Sequence, residues 1–191
     1  MNTSPSWLTT GIRAVLFVVF TFVLAHNILY IYIQPVLQPS GLSGSVDIIL
    51  FIFGLGAIVS LWIVGALVDR RLQSLVVASV LFFGSAAALI GFLGDVAQII
   101  YLTAIVWGLA FGGFATITQT SLSRFAGSSV DVAQAMYTTG WNTAVAAGGV
   151  AGGLLLDRTG TSAFPWIVLG ILVIAFASVV GAMNRAPPHR V

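Results

Sequence analysis

The chain has 191 residues, of which 6% are charged and 59% are hydrophobic. A soluble domain carries about 25% charged residues, so this chain has too few polar side chains to cover a surface in water, and its outer solvent must be lipid. The net charge of +2 is too small to suggest a nucleic-acid partner, and the absence of cysteine excludes a disulfide framework and a cysteine-based metal site.

Six stretches of the chain are apolar and long enough to cross a bilayer, which takes about 20 residues of helix. They are residues 14–37, 46–68, 75–93, 97–120, 132–156 and 164–183. The links between them are too short to hold a soluble domain. We therefore predict an all-α integral membrane protein with one six-span membrane domain (14–184), a cytoplasmic N-terminal segment (1–13) and a cytoplasmic tail (185–191).

The arginines predict the orientation, because basic residues accumulate in cytoplasmic loops. Those that fall on one side of the six spans are Arg13, Arg70, Arg71, Arg124, Arg185 and Arg190. Arg158 alone falls on the other side. This distribution predicts a multi-pass protein of the cell (inner) membrane, with both termini in the cytoplasm.

The first span carries a polar stripe. At 100° per residue, His26, Asn27, Tyr30 and Gln34 fall within about 100° of arc, whereas Tyr32 lies away from them. A polar face must avoid lipid, so the stripe faces a cavity or other helices. Either it lines a substrate path, with proton transfer by His26 as a further hypothesis, or a neutral His26 bonds to a neighbouring helix and fixes the packing.

The second and fifth spans end on the same short pattern. Gly65-Ala-Leu-Val-Asp-Arg70 and Gly153-Leu-Leu-Leu-Asp-Arg158 both read G-x-L-x-D-R, three spans apart and on opposite sides of the membrane. This recurrence is typical of an inverted repeat of two three-helix units, an arrangement found in many secondary transporters. We predict such a 3+3 repeat, with chance recurrence of a short pattern as the alternative.

Small residues mark one face of the fourth span and one face of the fifth. They are Gly108, Gly112 and Ala115 in the fourth, and Gly148, Gly149, Gly152 and Gly153 in the fifth. Small residues let helix backbones approach closely in membranes, so we predict packing roles for these glycines. Gln119, Trp141 and Asn142 on the same spans are candidates for substrate contact, although an interhelical hydrogen bond would explain the two amides equally well.

Three segments carry a resemblance to a known family. Gly65-x-Leu67-x-Asp69-Arg70 resembles the cytoplasmic motif that follows the second and eighth spans of major facilitator superfamily transporters, although the family's second glycine and basic residues are replaced here by Leu72, Gln73 and Ser74. The segment from His26 to Pro35 resembles the seventh span of the twelve-span drug:proton antiporter branch. Trp141-Asn142, followed by the glycines of the fifth span, resembles the eleventh.

The resemblance covers roughly residues 14–183 and implies the C-terminal half of a transporter similar to sugar, arabinose and nucleoside exporters. It implies proton-coupled efflux of a small organic solute. The sequence has no Gly-rich phosphate loop, no metal-ligand cluster and no nucleophile with a base, so we expect no cofactor, no metal and no enzymatic activity. A complete transporter has two such halves, so a second half is implied, supplied by the missing N-terminal half, another copy or a related protein. The alternative function is a six-span protein that does not transport and packs against another membrane protein.

The same resemblance implies a gating role for Gly65, Asp69 and Arg70. Asp69 would be held in one state against the N-terminus of a neighbouring helix, and the fifth span, starting near Asp131, is the expected neighbour. The alternative is that these are solvated turn charges that only obey the orientation rule. No Asp, Glu or Arg falls in the middle of a predicted span, so a proton-coupling carboxylate would have to lie outside this chain.

Overall fold

The computed structural model describes residues 6–185, and side chains from Gly11 to Ala182. Within that range all the regular structure is helical. The α-helices are α1 (Ser6–Ile31), α2 (Ile33–Val36), α3 (Val46–Leu93), α4 (Ala97–Phe111), α5 (Phe114–Ala126), α6 (Val130–Thr159) and α7 (Phe164–Arg185). Most of the predicted N-terminal segment and tail, including Arg190, lies outside the described residues or side chains.

Two helices end earlier than the apolar pattern predicts. The first apolar run extends to residue 37, but α1 ends at Ile31 and the chain turns at Tyr32. Pro35 explains the break, because its ring cannot fit against the carbonyl of the residue four positions earlier and it has no N–H to donate. The fourth run is likewise divided, since α4 and α5 are separated at Gly112 and Gly113.

Helix α3 has 48 residues and is interrupted at its middle. Arg71 has φ −131° and ψ 29°, which is not helical, so two helices join there at a kink. An uninterrupted helix of this length would measure about 70 Å, more than twice the hydrocarbon core of a bilayer. We call the two parts α3a (46–70) and α3b (72–93). Each is long enough to cross a membrane.

Four stretches of the described residues are long and apolar enough to span a membrane: Gly11–Ile31, Val46–Leu93, Ala97–Thr159 and Thr161–Ala182. Large apolar side chains such as Phe51, Trp62 and Phe92 are exposed along them, as expected where lipid is the solvent. The prediction of an all-helical, multi-pass membrane protein is confirmed. The division into six spans and the 3+3 repeat stay predictions.

Helix α1 packs against α5, α6 and α7, and two of its rings reach Phe53 and Phe83 of α3. Its fully buried Phe22 stacks on Phe114 of α5 at 3.7 Å between ring centroids and meets the edge of Phe83 of α3b at 5.2 Å. Close packing of this kind holds helices together in lipid, where burial of apolar surface gives little driving force. It fixes the position of α1, which carries the polar stripe.

The glycines of α4 and α6 lie where helix backbones meet. A Cβ atom on Gly112 would lie 2.5 Å from Cα of Ala57 in α3a, and one on Gly148 would lie 2.6 Å from Cβ of Asn27 in α1. Gly108 approaches the Phe53 carbonyl, and Gly152 approaches the Tyr32 ring. These contacts leave no room for a side chain, so α4 is held against α3a and α6 against α1.

Tyr32 reinforces the second of these contacts. Its hydroxyl donates a hydrogen bond of 2.8 Å to the carbonyl of Gly149, and its ring centroid lies 5.9 Å from that of Phe164. The turn that Pro35 imposes therefore aims Tyr32 at α6, away from the polar stripe. Gly153 also faces this side chain, since a Cβ there would lie 2.9 Å from the Tyr32 hydroxyl oxygen.

Candidate functional site

The structure gathers aromatic rings from four helical segments around His26. We call this group the aromatic cluster; its members are His26 and Tyr30 of α1, Phe53 of α3a, Phe83 of α3b, and Trp107 and Phe111 of α4. The imidazole stacks on Phe111 with 3.7 Å between centroids and an interplanar angle of 13°. Tyr30 and Trp107 each lie 5.2 Å from it, Tyr30 stacked and Trp107 tilted.

The rings also contact one another, which holds the cluster rigidly. Phe53 lies 4.8 Å from Trp107, and Phe83 is stacked with Trp107 at 6.0 Å. An aromatic pair in such a geometry contributes about 0.5–1.5 kcal/mol beyond its burial. The rings come from three different helices, so only the packing of α1, α3 and α4 brings them together.

The cluster continues onto α6. Trp141 lies 6.2 Å from Phe111 and 5.9 Å from Tyr137, and the Tyr137 hydroxyl is 3.0 Å from the Thr118 hydroxyl of α5. The arrangement is therefore an aromatic wall that crosses from α4 to α6, with a hydroxyl pair at the α5 end. Trp141 is half-buried, so part of its ring remains available for contact.

The predicted polar stripe does not lie on one continuous helix, because the turn at Tyr32 places Gln34 on α2 while His26, Asn27 and Tyr30 lie on α1. His26 and Asn27 are buried, and the Asn27 amide donates to the Val23 carbonyl of its own helix at 2.8 Å. Tyr30 and Gln34 are exposed. The predicted bond from His26 to a neighbouring helix is not found at Nδ1, which has no hydrogen-bond partner; the ring is held by stacking instead.

Exposed polar side chains border the wall on α5 and α6. Gln119 and Asn142 are exposed, and so are Thr139 and Thr143, which the sequence analysis did not single out. The two threonine hydroxyls donate to carbonyls four residues earlier in α6, at 2.9 Å and 2.8 Å, which leaves their oxygen lone pairs free to accept. Their spacing of four residues, with Asn142 alongside, is the sequence signal that could have identified this face.

An open groove of about 590 Å³ lies between α1 and α6. Its lining is mostly apolar and comes from Leu16, Phe17, Val19 and Phe20 on one side and Val132, Ala135, Met136, Tyr137, Thr139 and Gly140 on the other. Thr139 belongs to both the groove and the polar face of α6. One side of the α1–α6 pair is therefore not covered by any described part of this chain.

Asp69, near the C-terminal end of α3a, contacts Arg124 of α5. An Arg124 Nη2 atom lies 3.5 Å from Oδ1 of Asp69, and the two side chains are 88% (Asp69) and 49% (Arg124) exposed. The neighbour of Asp69 in this structure is thus the last turn of α5, and its placement against the start of the fifth span near Asp131 in one state stays a prediction. Arginine is favourable at a helix C-terminus, but an exposed ion pair contributes little stability.

The other two residues of the Gly65–Arg70 motif lie on the surface. Arg70 is exposed, and a Cβ atom built on Gly65 would have no atom of another residue within 4 Å. Neither has a packing role within the described residues, so any role must involve a partner or another conformation.

Comparison with known proteins gives a family and a fold. A family model described as Major Facilitator Superfamily matches residues 6–191. A "Probable sugar efflux transporter" of Helicobacter pylori is 22% identical over 153 residues, which cover 78% of this chain and 39% of the relative. The "Transcription regulatory protein OpdE" of Pseudomonas aeruginosa is 24% identical over 169 residues, covering 87% of this chain and 42% of the relative.

Among solved structures, the crystal structure of the POT family transporter PepTSo matches with a TM-score of 0.76 and 19% identity, over 100% of this chain and 40% of that chain. At this identity the match shows the fold alone. The chain spans about two fifths of the length of the relatives that it matches.

Proposed function

Because the chain belongs to the Major Facilitator Superfamily, a family of transporters rather than enzymes, we propose that it forms one half of a secondary transporter for a small organic solute. The observation that carries this proposal is the aromatic wall with exposed polar side chains beside it. Tyr30, Gln34, Gln119 and Asn142 are exposed. Polar groups facing lipid are costly, so this face lines either a water-filled path or a protein contact.

The chemistry of the wall favours a neutral solute. Aromatic faces bind apolar ring surfaces, the Asn142 and Gln34 amides donate and accept hydrogen bonds, and the α6 hydroxyls accept them. Sugars, nucleosides and many drugs combine these features, and the matched Helicobacter relatives are named as sugar efflux transporters. We therefore propose efflux of such a solute in exchange for protons, with the coupling carboxylate outside this chain.

The proposed architecture is six spans arranged as a 3+3 inverted repeat in the cell inner membrane, with both termini in the cytoplasm. The kink at Arg71 supports two spans within α3, and Asp69 and Arg124, which contact each other, are both assigned to the cytoplasmic side. Asp69 and Asp157 occupy equivalent positions in the two three-helix units. In this scheme the Asp69–Arg124 pair is a cytoplasmic latch that re-forms in each transport cycle.

A second six-span half completes the proposed transporter. The relatives are more than twice as long as the matched segments, and the groove between α1 and α6 is open to a partner. Alternating access would follow from rocking of the two halves about the solute. The partner would be an N-terminal half, a second copy of this chain or a related protein.

The second candidate function is a six-span protein that does not transport and packs against another membrane protein. One relative is named as a regulatory protein, which favours this second function. It differs from the first in what the exposed polar face does: a packing module would bury that face permanently against protein, whereas a transporter must expose it to water in at least one state.

Flux measurements distinguish the transporter from the packing protein. The chain is reconstituted in proteoliposomes, alone and with a co-expressed N-terminal six-span half, and counterflow of labelled monosaccharides, nucleosides and cationic dyes is measured. We expect counterflow that falls at least tenfold in Asn142→Ala and Gln34→Ala, but not in Gln73→Ala, an exposed amide near the α3 kink. Absence of flux in both preparations, with a stable complex formed, would favour the packing function.

A further inference from the structure

The groove between α1 and α6 has apolar walls and a charged residue at the same end of each wall. Arg13 precedes Phe17 of the α1 wall by four residues, and Asp131 precedes Ala135 of the α6 wall by four residues. Residues four apart share a helix face, so each charge lies one turn beyond the apolar lining of its own wall. Both charged side chains are exposed. The groove therefore has a positive charge on one wall and a negative charge on the other.

The two charges lie at nearly the same depth. Gly148 of α6 approaches Asn27 of α1, and Gly152 approaches Tyr32. The residue numbers of these pairs differ by 121 (148 − 27) and 120 (152 − 32), so α1 and α6 run in the same direction with a constant register. This register places the aspartate level with residues 10–11 of α1, which is about 3–5 Å along the helix axis from the arginine.

The two charges do not pair with each other within one chain. Among the described residues, the ion pair within 4 Å is that of Asp69 and Arg124, and neither groove charge takes part in it. The groove between them is open, with a volume of about 590 Å³. Phe17 and Met136 line it and are 44% and 52% exposed. An occupant that fits must therefore present both signs of charge at one depth, with apolar side chains beside them.

A second copy of the same face meets this requirement. In a two-fold symmetric contact the same patch serves both subunits, so each contact between two different residues occurs twice. Two copies insert in the same direction because they have the same distribution of arginines, and their two-fold axis is then parallel to the membrane normal. Rotation about that axis preserves depth. An arginine and an aspartate at one depth therefore meet their opposite charges across it.

We propose that the groove is the contact face of a homodimer, in which Arg13 pairs with Asp131 of the partner subunit and Asp131 pairs with the partner subunit's Arg13. Phe17 and Met136 of each subunit enter the groove of the other. Exposed ion pairs contribute little energy singly, so here they select the register and the partner, while close packing holds the contact. This inference rests on the proposed function, since it names the second six-span half as another copy of this chain.

The contact lies at one end of the two chains and leaves the candidate site uncovered. Tyr30 is 17 residues beyond Arg13 in α1, or about 25 Å along the helix axis. On α6, Asn142 and Thr143 are exposed beyond the groove lining, which reaches Gly140. In the dimer these side chains face their counterparts across the axis, so the space between the two aromatic walls becomes one shared site.

Exchange of the two charges tests this contact. Dimer formation is measured by fluorescence energy transfer between labelled full chains in liposomes, at several protein-to-lipid ratios. Arg13→Asp alone places like charges opposite each other at both pairs, and so does Asp131→Arg. The double variant R13D/D131R restores both pairs with their signs reversed. Arg71→Asp is the matched control, because it reverses an exposed arginine on the same predicted side of the membrane, outside the groove.

We expect each single groove variant to weaken dimerisation at least about tenfold, because two attractive pairs become two repulsive ones. The double variant should return to within about threefold of wild type, and Arg71→Asp should leave the dimer unchanged. A wild-type chain that stays monomeric at every ratio would overturn the proposal. Single variants that dimerise as wild type does would also overturn it, as would a double variant as weak as the single ones.

Disulfide trapping locates the contact, since the chain has no cysteine of its own. Chains with Arg13→Cys and chains with Asp131→Cys, each carrying a different tag, are co-expressed and oxidised in membranes. We expect a disulfide between the two tagged chains, and none when Arg71→Cys replaces Arg13→Cys. Equal trapping in both experiments, or trapping in neither, would contradict the proposed interface.

Native mass spectrometry of the purified chain distinguishes a lipid in the groove from a second copy. A monomer that retains phosphatidylethanolamine, and loses it in Arg13→Asp, would assign the groove to a zwitterionic lipid and overturn the homodimer. A homodimer without flux would contradict only the transport proposal. Flux that requires an N-terminal six-span half, with no homodimer, would contradict only the inference drawn from the groove.

Discussion

Substitution of Gly148 by alanine tests the packing of α6 on α1. A Cβ atom at this position would lie 2.6 Å from Cβ of Asn27, 3.1 Å from the Leu24 carbonyl oxygen and 3.3 Å from the Ile28 nitrogen. Two of these atoms are backbone atoms and the third is bonded directly to it, so no side-chain rotation can make room. The two helices must move apart.

The size of the destabilisation follows from this separation of the two helices. Ordinary contact begins at 3.4 Å, so the helices must separate by up to about 1 Å, and a gap of this size forfeits about a quarter to a half of the dispersion attraction along the contact. Overpacking of this kind costs about 1–3 kcal/mol. The better helix propensity of alanine returns about 0.5–1 kcal/mol. We expect a net loss of about 1–2 kcal/mol.

Gly140→Ala in the same helix is the matched control, because a Cβ atom there would meet nothing within 4 Å. It carries the propensity gain without the clash, and its stability should equal or exceed that of wild type. Thermal unfolding in detergent should show Gly148→Ala lower by about 2–8 °C, at about 2–4 °C per kcal/mol for a chain of this size. If both variants unfold at the wild-type temperature, the close approach of α1 and α6 is wrong.

Three further substitutions test other contacts. Ser60→Ala removes the acceptor of the buried Gly113 N–H, which donates to the Ser60 hydroxyl at 3.1 Å; unfolding should be easier by about 1–3 kcal/mol, and an unchanged midpoint would show that another acceptor takes over. Tyr32→Phe removes the bond to Gly149 and should cost about 0.5–1.5 kcal/mol in the same assay, whereas an unaltered value would mean that the ring contacts alone hold the turn. Asp69→Asn should leave the unfolding temperature unchanged because the pair is exposed, yet slow counterflow if the latch operates; unchanged flux at normal abundance would remove the gating role.

The sequence showed which residues belong to much of the candidate site, but it did not show how they are arranged in space. Helical periodicity placed His26 and Tyr30 on one face of α1. It could not tell that His26 would be enclosed by rings while Tyr30 stayed exposed, because enclosure depends on Phe53 and Trp107 from other helices. Trp107 lay unnoticed in an apolar run, since an indole is typical of such a run and nothing local indicates its contact with His26.

The contact that Asp69 makes in the structure was hidden from the sequence for a similar reason. The family resemblance suggested a contact with the start of the fifth span in one state. The contact seen in the structure is with Arg124, 55 residues away in α5. Local sequence carries no information about which of two nearby helix ends approaches a turn, because that depends on how the helices cross.

By itself the sequence determined that lipid is the solvent and that the chain is helical. A chain with 6% charged residues cannot cover a surface in water. In lipid each backbone N–H and C=O must be paired inside the protein, and apolar runs of about 20 residues achieve this as helices. Only the tertiary structure decided which apolar residues meet, where Gly148 and Gly112 allow backbones to touch, and which polar atoms are left without a partner. These outcomes depend on the contact between helices, because in an apolar solvent nearly every apolar face is equally compatible with lipid and the choice among faces falls to steric fit.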